Sequence, residues 1–114
     1  AELNEIVRLV GIDALSPRQR MVLETAKSLR EDFLYQSAFH EIDTYCSMKK
    51  QYRLLKVILM FHELALKALE AGAPLSAILG LPVRQRIARA RFIPEDKLDD
   101  FGGVEAAIKA EMPK

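Results

Sequence analysis

The sequence predicts an all-α fold, a helical bundle of about five to six helices with a long central helix at about 48–71. Three observations support this fold class. Every stretch with a clear hydrophobic period repeats its apolar residues at steps of three and four, as one face of an α-helix does. No stretch alternates apolar and polar residues in the manner of a half-buried strand. The turn signals SP at 16–17 and GAP at 72–74 fall between the periodic stretches.

The composition is that of one globular domain over residues 1–114. Half of the residues are hydrophobic and 29% are charged, and a chain of this length buries roughly 65% of the surface that it exposes when unfolded. The net charge of +1 provides no overall attraction to nucleic acid or anionic lipid. The single cysteine, Cys46, excludes an internal disulfide and favours a reducing compartment. Because the chain begins at Ala1 inside a helical pattern, we expect it to be a piece of a longer protein.

The first two predicted helices meet at a sharply specified corner. Residues 3–10 form one amphipathic stretch that ends at Gly11. Ser16 is a good N-cap for the second helix, Pro17 suits its first position, and Gln19 completes a capping box. We expect this second helix, at about 17–35, to bury the face that contains Val22, Ala26, Leu29 and Phe33.

The central helix is apolar around most of its circumference. Its narrow polar stripe contains Lys49, Lys56, Glu63, Lys67 and Glu70. We expect the remaining sides to be buried, including Leu59, because such a helix occupies the centre of a bundle. His62 falls within the apolar arc, which predicts a core histidine with a satisfied hydrogen bond rather than a ligand or a base.

The remaining predicted helices are short. The stretch GAP at 72–74 ends the central helix, and Ser76 is expected to cap a single following turn. The next helix covers 82–91 and begins at a proline. The stretch PED at 94–96 begins the last helix, which we expect the glycine pair at 102–103 to interrupt.

Residues 39–46, FHEIDTYC, collect side chains of the types that bind metal ions. They are His40, Glu41, Asp43 and Cys46. Their spacing matches no closed zinc pattern, since there is no C-x-x-C pair and no H-E-x-x-H helix. The favoured interpretation is therefore an ordered loop whose polar side chains bind its own backbone, and no metal site is predicted.

Residues 84–91, RQRIARAR, contain four arginines that do not share one face. At about 100° per residue, Arg84 and Arg91 lie on one side of a helix, and Arg86 and Arg89 lie on another. The apolar residues Val83, Ile87 and Ala90 lie between them. This geometry suits a helix packed by its apolar strip and flanked by ion-paired or solvated arginines, and it does not favour nucleic-acid binding.

Motifs of nucleotide and acyl chemistry are missing from the sequence. There is no phosphate-binding loop of the pattern G-x-x-x-x-G-K-[ST] and no G-x-S-x-G elbow, and no carboxylate pair stands out. The chain therefore carries no complete active site, and we predict that it is enzymatically inactive by itself.

Three stretches resemble a known family. ELNEIVRLVGIDALSPRQR, REDFLYQSAFHEIDTYCSMKKQYRLLK and LSAILGLPVRQRIARARF are similar to the C-terminal helical domain of the catalytic subunit, called A or alpha, of archaeal-type (A-type/V-type) rotary ATP synthases. The resemblance covers residues 2 to about 92. It implies a larger subunit, in which a β-barrel and a P-loop nucleotide-binding domain precede the helical domain.

The resemblance also implies cofactors, partners and a location. The parent subunit would bind ATP or ADP with magnesium, through the domain absent from this chain, so no tightly bound nucleotide is expected here. The implied partners are the nucleotide-binding domain of the same subunit, the non-catalytic subunit that alternates with it in a ring, and the central stalk, with no nucleic acid. The membrane would be involved only indirectly, through a proton- or sodium-translocating complex whose catalytic part lies on the cytoplasmic face of the cell membrane.

One implied site is a contact with the rotor shaft. Related bacterial and mitochondrial synthases carry the acidic sequence Asp-Glu-Leu-Ser-Glu-Glu-Asp at a helix-turn-helix tip that touches the shaft. The matching residues here are Asp13, Ala14, Leu15, Ser16, Pro17, Arg18 and Gln19. Leu15 and Ser16 persist, so we expect the same exposed turn. Most of the acidic character is lost, so we do not expect the same charge complementarity to the shaft.

A second implied site is the adenine end of the nucleotide pocket. An aromatic residue at the position of Phe39 stacks on adenine in relatives, and Tyr45 lies near that pocket, together with Gln36 and Ala38. The alternative for Phe39 is a core side chain between helices. The alternative for the whole chain is a stand-alone helical interaction module that uses the arginine-rich helix 82–91 on an acidic partner.

Overall fold

A computed structural model of the protein describes residues 15–34 and 48–113, without the side chains of residues 32–34. Within these ranges it contains five α-helices and no strand. They are α1 (Pro17–Ser28), α2 (Met48–Glu70), α3 (Leu75–Leu79), α4 (Val83–Arg89) and α5 (Asp100–Glu111). A π-helical segment, Leu29–Leu34, continues α1, and the 3₁₀ turns Ala90–Phe92 and Glu95–Lys97 lie between α4 and α5. The all-α prediction is confirmed, and the helix predicted at 3–10 lies outside the described residues.

The start of α1 is the predicted capping box. The Gln19 backbone N–H donates to Ser16 Oγ over 3.2 Å, and the Ser16 N–H donates to Gln19 Oε1 over 2.9 Å. The predicted buried face was partly wrong, because Met21 and Thr25 are buried while Ala26 is exposed. Leu29 is half-buried against the core as expected, and the side chain of Phe33 lies outside the described part of the chain. A threonine can face the core here because its hydroxyl finds a hydrogen-bond partner on α2, as described below.

The long helix α2 spans 23 residues and is therefore about 34 Å long. Its predicted polar stripe is confirmed, since all five residues of the stripe are exposed. Its core face contributes Leu54, Val57, Ile58, Phe61, Ala65 and Ala68. Leu59, which was expected to be buried, is instead 42% exposed.

A Schellman motif ends α2 where the sequence predicts the stop. Gly72 has a φ of +104°, which side chains with a Cβ rarely adopt. The Ala73 N–H donates to the Ala68 carbonyl over 3.0 Å, and the Gly72 N–H donates to the Leu69 carbonyl over 3.1 Å. These are the two hydrogen bonds that define the motif.

Three boundary predictions in the second half were wrong. The last α-helix begins at Asp100 and not at 94–96, where Glu95–Lys97 forms a separate 3₁₀ turn. Ser76 is not an N-cap, because α3 already begins at Leu75, and Pro74 occupies the cap position without a side-chain hydrogen bond. The glycine pair at 102–103 does not interrupt the last helix, since α5 runs continuously to Glu111. The burial of Phe101, Val104 and Ile108 explains this, because tertiary packing outweighs the low helix propensity of glycine.

One hydrophobic core lies between α1, α2, α4 and α5. Its buried residues come from every described α-helix, and Phe101, Val57, Ile78, Val83 and Ile108 are fully buried. Among the described residues, no helix combines the length and apolar character that crossing a membrane requires.

Candidate functional site

The corner at residues 15–19 is the part of the predicted rotor contact that the structure describes. Ser16, Pro17 and Arg18 are exposed, and Gln19 is half-buried. Leu15 was expected to be exposed, but its side chain is only 6% exposed. An apolar side chain at a turn gains free energy by burial, so Leu15 anchors the corner while its polar neighbours remain in water. Asp13 and Ala14 lie outside the described residues.

Two side-chain contacts fix this corner and α1 against α2. Arg18 lies 3.7 Å from the Glu70 carboxylate at the C-terminal end of α2, and both side chains are exposed. Further along, the Thr25 hydroxyl lies 2.6 Å from Nδ1 of His62. The prediction that His62 is a satisfied histidine is confirmed.

The environment of His62 favours its neutral form. Burial lowers the pKa of His62 below its usual value of 6.5, and the nearby Arg18 guanidinium lowers it further, while Glu63 acts in the opposite direction. A neutral imidazole can accept the Thr25 hydroxyl proton at Nδ1 or donate to the hydroxyl oxygen from it. The pair therefore joins α1 and α2 without placing a charge between them.

The other end of α2 is joined to its neighbours through Arg91. Lys50 is fully buried, and its Nζ donates to the Arg91 carbonyl oxygen over 2.6 Å. The Arg91 guanidinium in turn donates to the carbonyl oxygen of Glu31 over 3.2 Å. Arg91 therefore connects the first turn of α2 with the π-helical segment, which are the two described elements on either side of residues 35–47.

The residues predicted to contact adenine lie in that interval. Gln36, Ala38, Phe39 and Tyr45 are all outside the described residues, as are His40, Glu41, Asp43 and Cys46 of the metal-like cluster. Within the ranges 15–34 and 48–113, no three histidine, cysteine or acidic side chains are grouped as metal ligands would be.

The arginine-rich helix packs as its pattern predicts. Val83, Ile87 and Ala90 are buried. Arg84 donates to Glu24 on α1 and to the Leu79 carbonyl, both over 2.9 Å. With Arg91 bound to the π-helical segment as well, two of the four arginines stabilise the domain itself. Arg86 and Arg89 are exposed, beside Asp99 and Asp100.

Three contacts between residues far apart in the sequence were not predicted, because they leave no pattern at three- or four-residue steps. Arg84 and Glu24 are 60 residues apart, as are Arg91 and Glu31. Glu111 at the end of α5 accepts a hydrogen bond of 2.8 Å from the Val83 N–H, so it caps the N-terminus of α4 from 28 residues away. Charge pattern alone does not reveal such pairs, because every described helix except α3 offers several equivalent charged residues.

A sequence comparison now defines the class of this helical domain. The family described as the C-terminal domain of V and A type ATP synthase matches residues 1–79, and the chain belongs to this family. It is 61% identical over 112 residues to the V-type ATP synthase alpha chain of Thermoanaerobacter pseudethanolicus, which covers 98% of this chain and 19% of the relative.

Two further relatives carry the same description. The V-type ATP synthase alpha chain of Acetivibrio thermocellus is 54% identical over 113 residues, covering 98% of this chain and 19% of the relative. That of Clostridium perfringens is 54% identical over 114 residues, covering 100% and 19%. The chain thus spans 19% of the length of these curated relatives, and the resemblance seen in the sequence is confirmed.

Proposed function

We propose that this domain, within a whole catalytic subunit of a rotary ATP synthase, links the adenine end of the nucleotide site to the central rotor shaft. The observation that carries the proposal is the position, relative to α2, of the corner and of the two described elements that flank the adenine candidates in the sequence. At one end of this helix, Arg18 of the corner at 15–19 pairs with Glu70. Near the other end, Lys50 and Arg91 join the elements that flank residues 35–47. The two ends are about 34 Å apart along a continuous helix.

The physical argument is one of stiffness. A helix that is packed along its length transmits a displacement as a rigid body, whereas a flexible loop absorbs it. The capping box, Pro17 and the buried Leu15 make the corner stiff where it meets the C-terminal end of α2. In the proposed role, a domain movement that begins at the nucleotide reaches the shaft through α2 and the corner.

The chemistry of ATP is assigned to the rest of the subunit. Magnesium and the triphosphate would bind a P-loop domain, since residues 1–114 contain no P-loop motif. This chain would contribute Phe39 to the adenine face, with Gln36, Ala38 and Tyr45 beside it. We therefore propose that the chain alone is inactive and holds no nucleotide tightly.

The proposed partners are the nucleotide-binding domain of the same subunit, the non-catalytic subunit of the ring and the central stalk. The assembly would lie peripherally on the cytoplasmic face of the cell membrane and couple to protons or sodium ions. The alternative of a stand-alone module using helix 82–91 is less well supported, because Arg84 and Arg91 bind within the domain.

The corner is tested by loosening it in the assembled complex. Two glycines inserted between Leu15 and Ser16 leave the capping box intact but free the turn, and we expect ATP hydrolysis to persist while torque falls in a single-molecule rotation assay. The same insertion between Gly80 and Leu81, in the turn between α3 and α4, serves as the control. Equal torque in both variants would show that the corner is only a connector.

The adenine contact is tested separately. Phe39→Ala in the whole subunit should raise KM for ATP with a smaller effect on kcat, because the contact is remote from the reacting bond. A collapsed kcat with an unchanged KM would argue against the adenine role. Arg18→Cys should also form a disulfide under mild oxidation with a cysteine introduced on the central stalk, since the Arg18 side chain is 61% exposed.

A further inference from the structure

The long helix α2 carries apolar side chains on two opposite faces, and the described part of the chain covers only one of them. On the uncovered face, Met48 is 80% exposed, Tyr52 is 62% exposed and Leu59 is 42% exposed, with the half-buried Leu55 between them. Their spacing of four, three and four residues places them in one line along the helix. We refer to these four residues as the outer stripe.

The outer stripe is not a scatter of single exposed residues. Within the described part of the chain, the exposed large hydrophobic side chains are Met48, Tyr52, Leu59 and Phe92. Three of these four belong to the outer stripe. Phe92 follows Arg91, whose carbonyl binds Lys50, so it lies at the same end of α2. Exposed apolar residues grouped in this way mark a binding surface more often than a free surface.

The charge beside the outer stripe is positive along residues 48–62, and Glu63 adds one exposed carboxylate a turn beyond Leu59. Residues 48–62 contain Lys49, Lys50, Arg53 and Lys56 and no aspartate or glutamate. The first turn of α2 has no acidic residue, so its lysines add to the positive end of the helix dipole instead of offsetting it. Lys49 and Lys56 are exposed and lie on one side of the stripe.

Lys56 already has one carboxylate within reach, and Lys49 does not. Glu105 on α5 lies 3.8 Å from Lys56 and 3.7 Å from Arg53. No described carboxylate pairs with Lys49 within the ion-pair distance of about 4 Å. Lys49 is therefore the cation that an incoming acidic group would meet first.

The size and charge of the outer stripe identify the type of occupant. Twelve residues of helix extend about 17 Å, which matches three turns of a second helix. An acidic amphipathic helix satisfies both the apolar stripe and its cationic side.

We propose that the outer stripe, with Lys49 and Lys56 beside it, is a docking surface for an acidic amphipathic helix of a different protein chain in the assembled complex. Apolar residues of that helix at three- and four-residue steps pack on Tyr52, Leu55 and Leu59, and its carboxylates pair with the lysines. Tyr52 is the principal anchor, since tyrosine combines a large apolar surface with a polar end. This surface lies at the opposite end of α2 from the corner at 15–19 and does not depend on the proposed rotor contact.

Photo-cross-linking in the assembled complex tests the partner directly. With Tyr52→p-benzoylphenylalanine in the full-length subunit, irradiation followed by mass spectrometry should identify a peptide of another chain with acidic and apolar residues at helical spacing. Ala106→p-benzoylphenylalanine, at an exposed position on α5, is the control and should not yield that peptide. A cross-link from Tyr52 to the same subunit, to a second copy of this chain or to nothing would overturn the proposal.

The charge contribution is tested by reversing one lysine in the cross-linking variant. Lys49→Glu should lower the yield of the cross-link about fivefold and remove part of its salt dependence, because it places a carboxylate opposite the acidic partner. Lys49→Arg should retain the yield, and Lys109→Glu, an equally exposed reversal on α5, should leave it unchanged. Equal cross-link yields for Lys49→Glu and Lys109→Glu would contradict the proposal that the partner helix is acidic. If Lys49→Glu lost the cross-link but kept normal torque in the rotation assay, this surface would be shown to act independently of the rotor contact.

Discussion

Lys50 is fully buried and donates a hydrogen bond of 2.6 Å from its Nζ to the main-chain oxygen of Arg91. A buried ammonium group costs free energy unless it is hydrogen-bonded, so this contact helps the first turn of α2 to pack. Arg91 also binds the Glu31 carbonyl, and the three residues together join the two described elements that flank residues 35–47 in the sequence. Lysine here is a structural residue in a helix whose other lysines are exposed.

We expect Lys50→Met to reduce the free energy of unfolding by about 1–3 kcal/mol. The methionine fills most of the space but leaves the Arg91 carbonyl without this donor. The adjacent Lys49→Met is the matched control and should change the stability by less than about 0.5 kcal/mol, because Lys49 is exposed. Urea unfolding of both variants measures the difference, and equal stabilities would contradict the structural role of Lys50.

The two serines near helix starts should differ in the same assay. Ser16→Ala removes the side-chain acceptor for the Gln19 N–H and should cost about 1 kcal/mol of unfolding free energy. Ser76→Ala should be nearly neutral, since Ser76 lies within α3 and makes no capping bond. A larger effect at Ser76 than at Ser16 would show that the capping box does not stabilise α1.

The Thr25–His62 pair should make stability depend on pH. The pKa of His62 is lowered in the folded chain, chiefly by burial, so the unfolded chain takes up a proton first as the pH falls. The contribution of neutral His62 to the free energy of unfolding is complete above pH 6.5, and it is lost as the pH decreases through 6.5 towards the lowered pKa. Unfolding curves between pH 8 and about 5 should show this loss, and His62→Gln should reduce it.

Thr25→Val separates the hydrogen bond from the burial of His62. This variant should be less stable at pH 8, because one side chain of the pair loses its partner. Part of the pH dependence should remain, since His62 stays partly buried and close to Arg18. If His62→Gln retained the full pH dependence, another group would be responsible for it.

We expect the purified 114-residue chain neither to hydrolyse ATP nor to bind it tightly. Without a phosphate-binding loop, stacking on adenine would supply only a few kcal/mol of the roughly 8 kcal/mol that micromolar binding requires. Calorimetric titration with magnesium-ATP measures this, with denatured chain as the control. Low-micromolar affinity would contradict the assignment of the triphosphate to another domain.

The helices themselves were predictable because their signals are local. The capping box of Ser16, the stop at Gly72 and the polar stripe of α2 each depend on residues within a few positions of one another. The same is true of the apolar strip of α4, which was correctly placed between its arginines. Family membership was also readable, because it rests on the order of residues along the chain.

The candidate site was predictable only in part. The sequence identified the corner and its turn, but it could not reveal that Leu15 is buried, since that depends on what packs against the turn. The four residues predicted to contact adenine lie outside the described residues, and their role remains a proposal.

The sequence by itself determined where α1 begins and where α2 ends, because neighbouring backbone and side-chain groups fix these two points. Only the tertiary structure decided which polar residues face inward: Thr25 is buried because it meets His62, and Lys50 because it meets Arg91. It also decided that Glu111 caps α4, across 28 residues. A local pattern carries no information about such pairs, since the free energy of burying a polar group depends on a partner that folding brings from elsewhere in the chain.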